Sequence, residues 1–172
     1  MRIEAVRSAF ERFLEVVVIV LMVTLSAEVT LGIVYRTIGS SLVWYDEVAA
    51  ILLAWLTFYG SALAALKRAH IGFPGLVNSL APRWRVPAVV FAEACVIAFF
   101  ALLGWVGYAV LDVLSTDFLV SLPSVSVAWT QSVIPIGALL FILAEVLTVP
   151  GLIASARGRG AIASSDLAEK LH

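Results

Sequence analysis

Residues that commonly build catalytic and redox centres are scarce in this sequence. Its 172 residues include one cysteine, Cys95, and two histidines, His70 and His172. One cysteine excludes an intramolecular disulfide and a dithiol redox site, and two histidines argue against a haem held by two histidines between helices. The sequence has no glycine-rich phosphate loop, no Ser-His-Asp set and no cluster of ligands with metal spacing. We therefore expect no enzyme activity and no bound cofactor or metal.

Charged residues are also scarce. They make up 13% of the chain, against 62% hydrophobic residues and a mean hydropathy of +1.06. A soluble domain has roughly a quarter of its residues charged and about half of them apolar. A soluble fold of this length could not bury so much apolar surface, and the basic residues form no patch suited to nucleic acid. The composition predicts an all-α membrane protein with several spans.

The apolar residues fall into four runs, each long enough to cross a bilayer core as a helix of about 20 residues. We predict transmembrane helices at residues 14–34, 45–66, 87–111 and 127–149, within one domain of residues 14–150. In the fourth helix, Pro135 is expected to cause a kink, and Pro150 with Gly151 is expected to end it. A four-helix transmembrane domain is the expected fold.

Shorter segments flank and connect these helices. Residues 1–13 alternate in charge and place apolar side chains on one helical face, which predicts an amphipathic lead-in on the cytoplasmic membrane surface. A signal peptide is the rival interpretation, but the apolar run that follows is too long and no Ala-x-Ala cleavage site is present. A short interfacial helix is expected between Pro74 and Pro82, and residues 151–172 are expected to form a cytoplasmic tail.

The basic residues predict the orientation in the membrane. They lie before helix one, between helices two and three, and after helix four: Arg2, Arg7, Arg12, Lys67, Arg68, Arg83, Arg85, Arg157, Arg159 and Lys170. Only Arg36 lies on the other side, and residues 112–126 contain no lysine or arginine. By the positive-inside rule, both termini are expected in the cytoplasm.

Four glutamates lie in or near the predicted spans. Glu15, Glu93 and Glu145 lie near the cytoplasmic ends, where pairing with basic residues is expected. Glu28 lies about 12 residues into helix one, roughly 18 Å along its axis. A charged acid at a helix centre costs roughly 2.5–3.5 kcal/mol on insertion scales, so Glu28 is a candidate ionisable site. It could bind a proton or cation, pair with a cation on another helix or subunit, or be held neutral by burial.

One stretch, from Trp44 to Ile71, combines unusual residues at fixed spacing. Its marked positions are Glu47, Trp55, Gly60, Arg68 and His70. This pattern resembles the small, Q-type membrane subunit of TRAP (tripartite ATP-independent periplasmic) transporters. Further features resemble the same family: Arg36 before the outer aromatic segment, Leu122-Pro123 before Trp129, and Pro135-Ile136-Gly137. One feature departs from the family, because the acid that often follows the His-Ile pair is absent from the run Gly72-Phe73-Pro74.

The resemblance implies a non-catalytic, four-helix subunit of a sodium-coupled secondary transporter in the bacterial inner membrane. Such a subunit stiffens the stationary scaffold of a large elevator-type membrane subunit and helps to dock a periplasmic substrate-binding protein. Sodium ions are then expected on the large subunit, and the substrates are organic anions such as dicarboxylates, keto acids or sialic acid. The resemblance implies these partner-interface positions: Arg36, Trp44, Glu47, Trp55, Gly60, Arg68 and His70.

Three of these positions also have an interpretation from the residues alone. Glu47 suits the positive end of the dipole of helix two, and it could also anchor Arg36. Trp55 lies away from the usual aromatic belts at the membrane surface, which favours a protein contact. Gly60 and Ala64 form a small face that allows close helix approach.

The alternative function is a small proton-coupled multidrug antiporter, which also has four helices and an intramembrane glutamate, here Glu28. Those proteins have very short loops, whereas this chain has a long loop on each side of the membrane. An integral membrane enzyme is a third hypothesis, but too few polar residues converge at one interface to support it.

Overall fold

The computed structural model describes residues 2–68 and 82–156 of the chain. They form five helices: α1 (Arg2–Thr37), α2 (Tyr45–Leu66), α3 (Pro82–Leu114), α4 (Val127–Gln131) and α5 (Val133–Ala156). Within this part of the chain there is no β-strand, only an isolated bridge between Phe118 and Ser126. Four helical segments are long and apolar enough to cross a membrane, which confirms the all-α, four-span prediction.

Helix α1 is longer than the sequence pattern predicted. The lead-in at residues 1–13 and the span at residues 14–34, predicted as separate segments, form one continuous helix from Arg2. No proline or glycine occurs between residues 2 and 31 to interrupt it. Helix α2 covers the predicted residues 45–66. The predicted interfacial helix between Pro74 and Pro82, and the tail beyond Ala156, lie outside the described residues.

Prolines set the start of α3 and the break before α5. Pro82 is the first residue of α3, where its missing N–H needs no partner, and Pro87 lies inside the helix rather than at its start. The predicted fourth helix is divided at Ser132 into α4 and α5. Pro135 explains the break, because it cannot donate to the carbonyl of Gln131 and its ring displaces that carbonyl.

The expected end of the fourth helix at Pro150 is wrong. Helix α5 passes through Pro150 and continues to Ala156. Proline has a φ angle suited to a helix, but within a helix it withholds one backbone N–H and its ring crowds the carbonyl four residues earlier. At Pro150 these two costs are insufficient to end the helix, which continues to Ala156.

The helices form a row rather than a closed bundle. Helix α1 packs on α2, α2 packs on α5, and α5 packs on α3, while α1 and α3 have no extensive contact with each other. Helices α2 and α5 are thus central, and α1 and α3 are the two edges. The short helix α4 packs on α3.

The packed core lies near one end of the row. We call this the Lys67 end; there α1 and α3 begin and α2 and α5 end. The opposite end, where α2 begins, is called the Glu47 end. The core residues at the Lys67 end come from α1, α2 and α5: Leu14, Ala62, Ala65, Leu66, Phe141 and Ala144. Phe100 of α3 joins them by stacking on Phe141, with ring centroids 3.7 Å apart.

Glycines allow the helices to approach closely away from this core. A Cβ atom on Gly32 of α1 would lie 2.1 Å from the ring of Tyr45 at the start of α2. A Cβ atom on Gly137 of α5 would lie 2.6 Å from Phe58 of α2. Both distances are far below van der Waals contact, so these two helix pairs depend on the missing side chain.

Much of the remaining apolar surface is uncovered. In the most apolar window of α3 no residue is buried, whereas 39% of the residues in the corresponding window of the α4–α5 segment are buried. Exposed side chains include large ones on α3, such as Phe91, Trp105 and Tyr108. A soluble monomer rarely exposes such a continuous apolar surface, so this surface requires lipid or protein around it.

Candidate functional site

Glu47 connects α2 to the loop between α3 and α4. Its carboxylate accepts hydrogen bonds from the backbone N–H groups of Val120 (3.2 Å) and Ser121 (2.9 Å), and from the Ser121 hydroxyl. Glu47 lies in the first turn of α2, as its predicted dipole role requires. The suggested ion pair with Arg36 is absent from the described part of the chain, where Arg36 is exposed. The carboxylate therefore holds a loop rather than a cation.

The loop that Glu47 holds is itself ordered by backbone hydrogen bonds. The Leu119 N–H donates to the Val125 carbonyl at 3.0 Å, and the Val127 N–H donates to the Asp117 carbonyl at 2.9 Å. Leu119 is buried, whereas Val120 beside it is 94% exposed. Val120 therefore exposes an apolar side chain at the tip of a loop that the Glu47 carboxylate holds in place.

Trp55 connects α2 to the break between α4 and α5. Its indole N–H donates to the Thr130 carbonyl at 2.9 Å, and its ring lies 5.4 Å from that of Trp129 and 6.2 Å from that of Tyr59. Thr130 is buried, so its carbonyl needs a donor where regular helical bonding is interrupted. The polar atom of Trp55 therefore serves a contact inside this chain.

Lys67 and Arg68 follow α2 and bind different helices. Lys67 forms ion pairs with Glu15 and, at 3.6 Å, with Glu11 of α1. The Arg68 guanidinium lies 3.8 Å from the Glu93 carboxylate of α3. Arg68 has a φ angle of 54°, in the left-handed region that commonly ends helices.

These pairings agree with the expectation for Glu15 and Glu93, two of the three acids that were expected to meet basic residues near the Lys67 end. The Arg7 guanidinium adds a hydrogen bond to the Leu66 carbonyl at 3.2 Å, near the last turn of α2. The hydrogen bond to Glu15 is the main cause that raises the pKa of the Lys67 ammonium above its usual value. The end of α2 is therefore connected to both edges of the row.

Glu28 of α1 is buried without a described partner. Its side chain is 9% exposed, and neither carboxyl oxygen has a hydrogen-bond donor within the described residues. The neighbouring charge that acts on it is another carboxylate, Asp46. Burying an ionised carboxylate without a partner is very costly. The ion pair considered for Glu28 is not formed within residues 2–68 and 82–156.

The remaining predicted positions lie on the surface of the isolated chain or outside the described residues. Trp44 is 37% exposed and precedes α2 without forming a side-chain cap. Among the described residues, a Cβ atom on Gly60 would meet nothing within 4 Å, so no described helix packs against α2 at this position. His70 lies outside the described residues. In the described ranges, no group of three or more His, Cys, Asp or Glu side chains is placed to hold a metal ion.

Several residues of these contacts were not identified from the sequence. Val120 and Thr130 contribute through backbone groups, which every residue has, so no residue type signals their role. Ser121 contributes its hydroxyl as well as its backbone N–H. The ring of Tyr45 and the side chain of Phe58 pack against glycines of neighbouring helices. The isolated glycines within the helical patterns were the available signal for these contacts. A glycine destabilises a helix, so its presence there indicates close packing against a neighbour.

The family model described as Tripartite ATP-independent periplasmic transporters, DctQ component, matches residues 25–154. The matched range covers more than half of the 172-residue chain. The chain belongs to the DctQ family. A search of the curated proteins found no match to it.

Membership in the DctQ family confirms the resemblance found in the sequence. A DctQ chain is the small permease subunit of a TRAP transporter, a multi-pass membrane protein that works with partner subunits. The matched range includes Glu28, the Glu47 and Trp55 contacts and the Arg68–Glu93 pair. Glu11 and Glu15, which bind Lys67, precede it. The Glu47 and Trp55 contacts therefore belong to the DctQ part of the chain.

Proposed function

We propose that this DctQ chain is the non-catalytic scaffold subunit of a sodium-coupled TRAP transporter in the bacterial inner membrane. Both termini lie in the cytoplasm, which places the Lys67 end inside and the Glu47 end outside. The transporter imports organic anions such as dicarboxylates, keto acids or sialic acid. Sodium ions and substrate bind the large membrane subunit, and this chain has no cofactor of its own.

The observation that carries the proposal, beside family membership, is the open row of helices. A protein that carried a substrate alone would need a polar path between its helices. Here the internal polar contacts of Glu47, Trp55 and Lys67 join helices and loops to one another. The flanks of α1 and α3 remain apolar and uncovered. This arrangement favours a rigid subunit of a larger transporter over a chain that transports a substrate by itself. It therefore also disfavours the alternative of a proton-coupled antiporter that uses Glu28.

The large subunit is proposed to pack against the small face of α2. Gly60 is open, and Thr57 and Ala64 lie one turn away on the same helical face. Small residues in a membrane helix allow another helix to approach closely. Arg36, Trp44 and His70 remain proposed interface positions from the family resemblance, and Glu47, Trp55 and Arg68 act indirectly by holding this surface in shape.

A pull-down in mild detergent tests the subunit proposal. With a tag after His172, we expect a much larger polytopic protein to co-elute at about one to one, in keeping with a stable membrane interface. Gly60→Leu should sharply lower that yield while leaving the melting temperature of the purified chain unchanged. Gly151→Leu is the matched control, because Gly151 is equally open but lies near the end of α5. Elution of the chain alone, or as a homodimer, would contradict the proposal.

The loop tip held by Glu47 is proposed to help dock the substrate-binding protein. Val120→Asp should reduce uptake of the transported anion several-fold without lowering the yield of the large subunit. Val6→Asp, an equally simple change of an exposed valine near the Lys67 end, is the control. Normal uptake with Val120→Asp would remove the loop tip from the docking surface.

A further inference from the structure

Glu28 is the acidic residue that lies deepest in the apolar part of α1. Its nearest charged neighbours along the helix are Glu15, thirteen residues earlier, and Arg36, eight residues later. At 1.5 Å per residue these separations are about 20 Å and about 12 Å along the axis. Glu28 therefore lies inside the apolar span, away from the charged residues at both ends of the helix.

Two contacts between α1 and α2 show what Glu28 faces. Gly32 lies one turn beyond Glu28 on the same face of α1, and it packs directly against the ring of Tyr45 at the start of α2. Nearer the start of α1, Arg7 donates to the Leu66 carbonyl at the end of α2. The two helices are thus antiparallel, and the buried Glu28 side chain lies about level with residues 48–52 of α2. This segment, Val-Ala-Ala-Ile-Leu, contains only apolar side chains.

No group within the described residues neutralises the Glu28 carboxyl. Glu28 is 9% exposed, and neither carboxyl oxygen has a hydrogen-bond partner there. The ionisable residues of α2 are Tyr45, Asp46, Glu47 and Tyr59, so the helix that packs on α1 supplies no cation. Its two acids add negative charge at the Glu47 end, where a positive charge would be needed.

The basic residues of the described chain do not meet Glu28 either. Arg36 is exposed and forms no ion pair with it. Helices α4 and α5 contain no base, and residues 38–44 and 115–126 contain none. All other bases among the described residues begin α1, follow α2 or begin α3, and so lie at the Lys67 end. Arg85 at the start of α3 is one of them, and it donates to neither oxygen of Glu28.

A buried carboxylate without a partner is so costly that the group takes up a proton instead. The hydrocarbon of a bilayer around the row supplies no hydrogen-bond donor in place of water. We propose that Glu28 binds a proton in the folded chain, and that this proton is required for α1 to pack on α2. Without the proton, a negative charge would lie against the apolar segment 48–52, one turn from the contact between Gly32 and Tyr45.

The proton at Glu28 is held rather than transported, because the apolar segment beside it offers no polar path. Helix α1 is an edge of the row and packs mainly on α2. Ionisation of Glu28 therefore loosens this edge while leaving α2, α5 and α3 joined. The inference depends neither on the substrate nor on the partner proposed above.

Thermal unfolding against pH tests the proposal on the full chain in mild detergent. The unfolded chain releases the Glu28 proton above about pH 4.3, the ordinary glutamate value, whereas the folded chain keeps it. The melting temperature of the wild type should therefore fall relative to that of Glu28→Gln as pH rises from about 5 to about 9. Glu28→Gln keeps the shape of the side chain and needs no proton, so its advantage should reach several degrees at high pH.

Asp112→Asn is the matched control, because Asp112 is an exposed acid near the Glu47 end of α3. Its melting temperature should run parallel to that of the wild type across the same pH range. A Glu28→Gln profile that also runs parallel to the wild type would overturn the proposal, since the folded and unfolded chains would then hold the same number of protons at Glu28.

Infrared spectroscopy detects the proton without unfolding the chain. The difference spectrum of wild type minus Glu28→Gln at neutral pH should contain the carbonyl band of a protonated carboxylic acid. Taking the difference separates Glu28 from the other buried acid, Glu145. The band should persist when Arg36→Gln is present in both chains. Carboxylate bands in its place would overturn the proposal, and an acid band that appears only with Arg36→Gln would identify Arg36 as the neutralising group instead.

Discussion

The two ends of α2 are held to the rest of the chain by different kinds of polar contact. At the Glu47 end, a carboxylate accepts from two backbone N–H groups and a hydroxyl of one loop. At the Lys67 end, an exposed ammonium meets two partly exposed carboxylates on α1. The first contact satisfies backbone groups that have no alternative partner in the loop. The second joins flexible side chains that water can solvate equally well.

This difference shows at which end of α2 a polar contact gives the neighbouring loop a defined surface. Hydrogen bonds from backbone N–H groups to a charged acceptor are short and directional, so Glu47 orders both the loop and the side chains at its tip. Surface ion pairs are screened by salt and contribute little. The Lys67 end is instead ordered by its packed core, in which Leu14 and Leu66 are fully buried. Polar contacts matter most at the end that lacks this core.

Glu47→Ala should have the largest effect of the substitutions in α2. It leaves three donors of the loop without their acceptor, so we expect the largest fall in melting temperature and faster proteolysis within residues 115–126. Asp46→Ala is the control, because Asp46 is exposed and belongs to the same helical turn. Limited proteolysis and thermal unfolding in detergent provide the measurements. Equal behaviour of the two variants would mean that the loop is ordered without Glu47.

Trp55→Phe should have the next largest effect. It keeps the aromatic contacts but leaves the buried Thr130 carbonyl without a donor, at a cost of about 1–3 kcal/mol in the free energy of unfolding. Trp105→Phe, a change of a tryptophan that is 74% exposed, should be nearly neutral. Denaturant unfolding of the purified chains compares them. A neutral Trp55→Phe variant would show that another donor satisfies the carbonyl.

Lys67→Gln should have the smallest effect, and one that depends on conditions. The raised pKa of Lys67 means that its pairing stabilises the folded chain below the usual lysine pKa and is lost as pH rises through the folded value. The wild type and Lys67→Gln should therefore differ slightly at neutral pH in low salt and converge in high salt or strong alkali. Thermal unfolding across salt concentration and pH measures this. A difference that persists in high salt would indicate a packing role for the lysine stem instead.

The sequence predicted the helices better than the contacts between them. Apolar runs gave the four spans, and the bounds of α2 agree with the structure because acids and bases mark both of its ends. The break at Ser132 could be anticipated from Pro135. The continuation through Pro150 could not, because one lost hydrogen bond has to be weighed against the packing of the whole helix.

Some of the polar contacts could be predicted from the sequence, and others could not. Pairing of Glu15 and Glu93 with nearby bases follows from charge and position along the helices. The partners of Glu47 and Trp55 lie in segments more than 70 residues away and are mainly backbone groups, which side-chain types do not indicate. The order of helices in the row was indicated only weakly, by the almost uncharged sequence of α5, since a helix that is apolar all round is usually central.

The order of the helices in the row has a consequence for how the chain is made. Helices α1 and α2 are consecutive in the sequence and pack on each other, so they can pair as soon as both have entered the membrane. Helix α3 packs mainly on α4 and α5, which are synthesised after it. During synthesis α3 is therefore in the bilayer without its main neighbours until α5 enters between it and α2. Helix α5 thus joins the two edges of the row, and a chain cut short before residue 127 would retain only the α1–α2 contact among those that hold the row together.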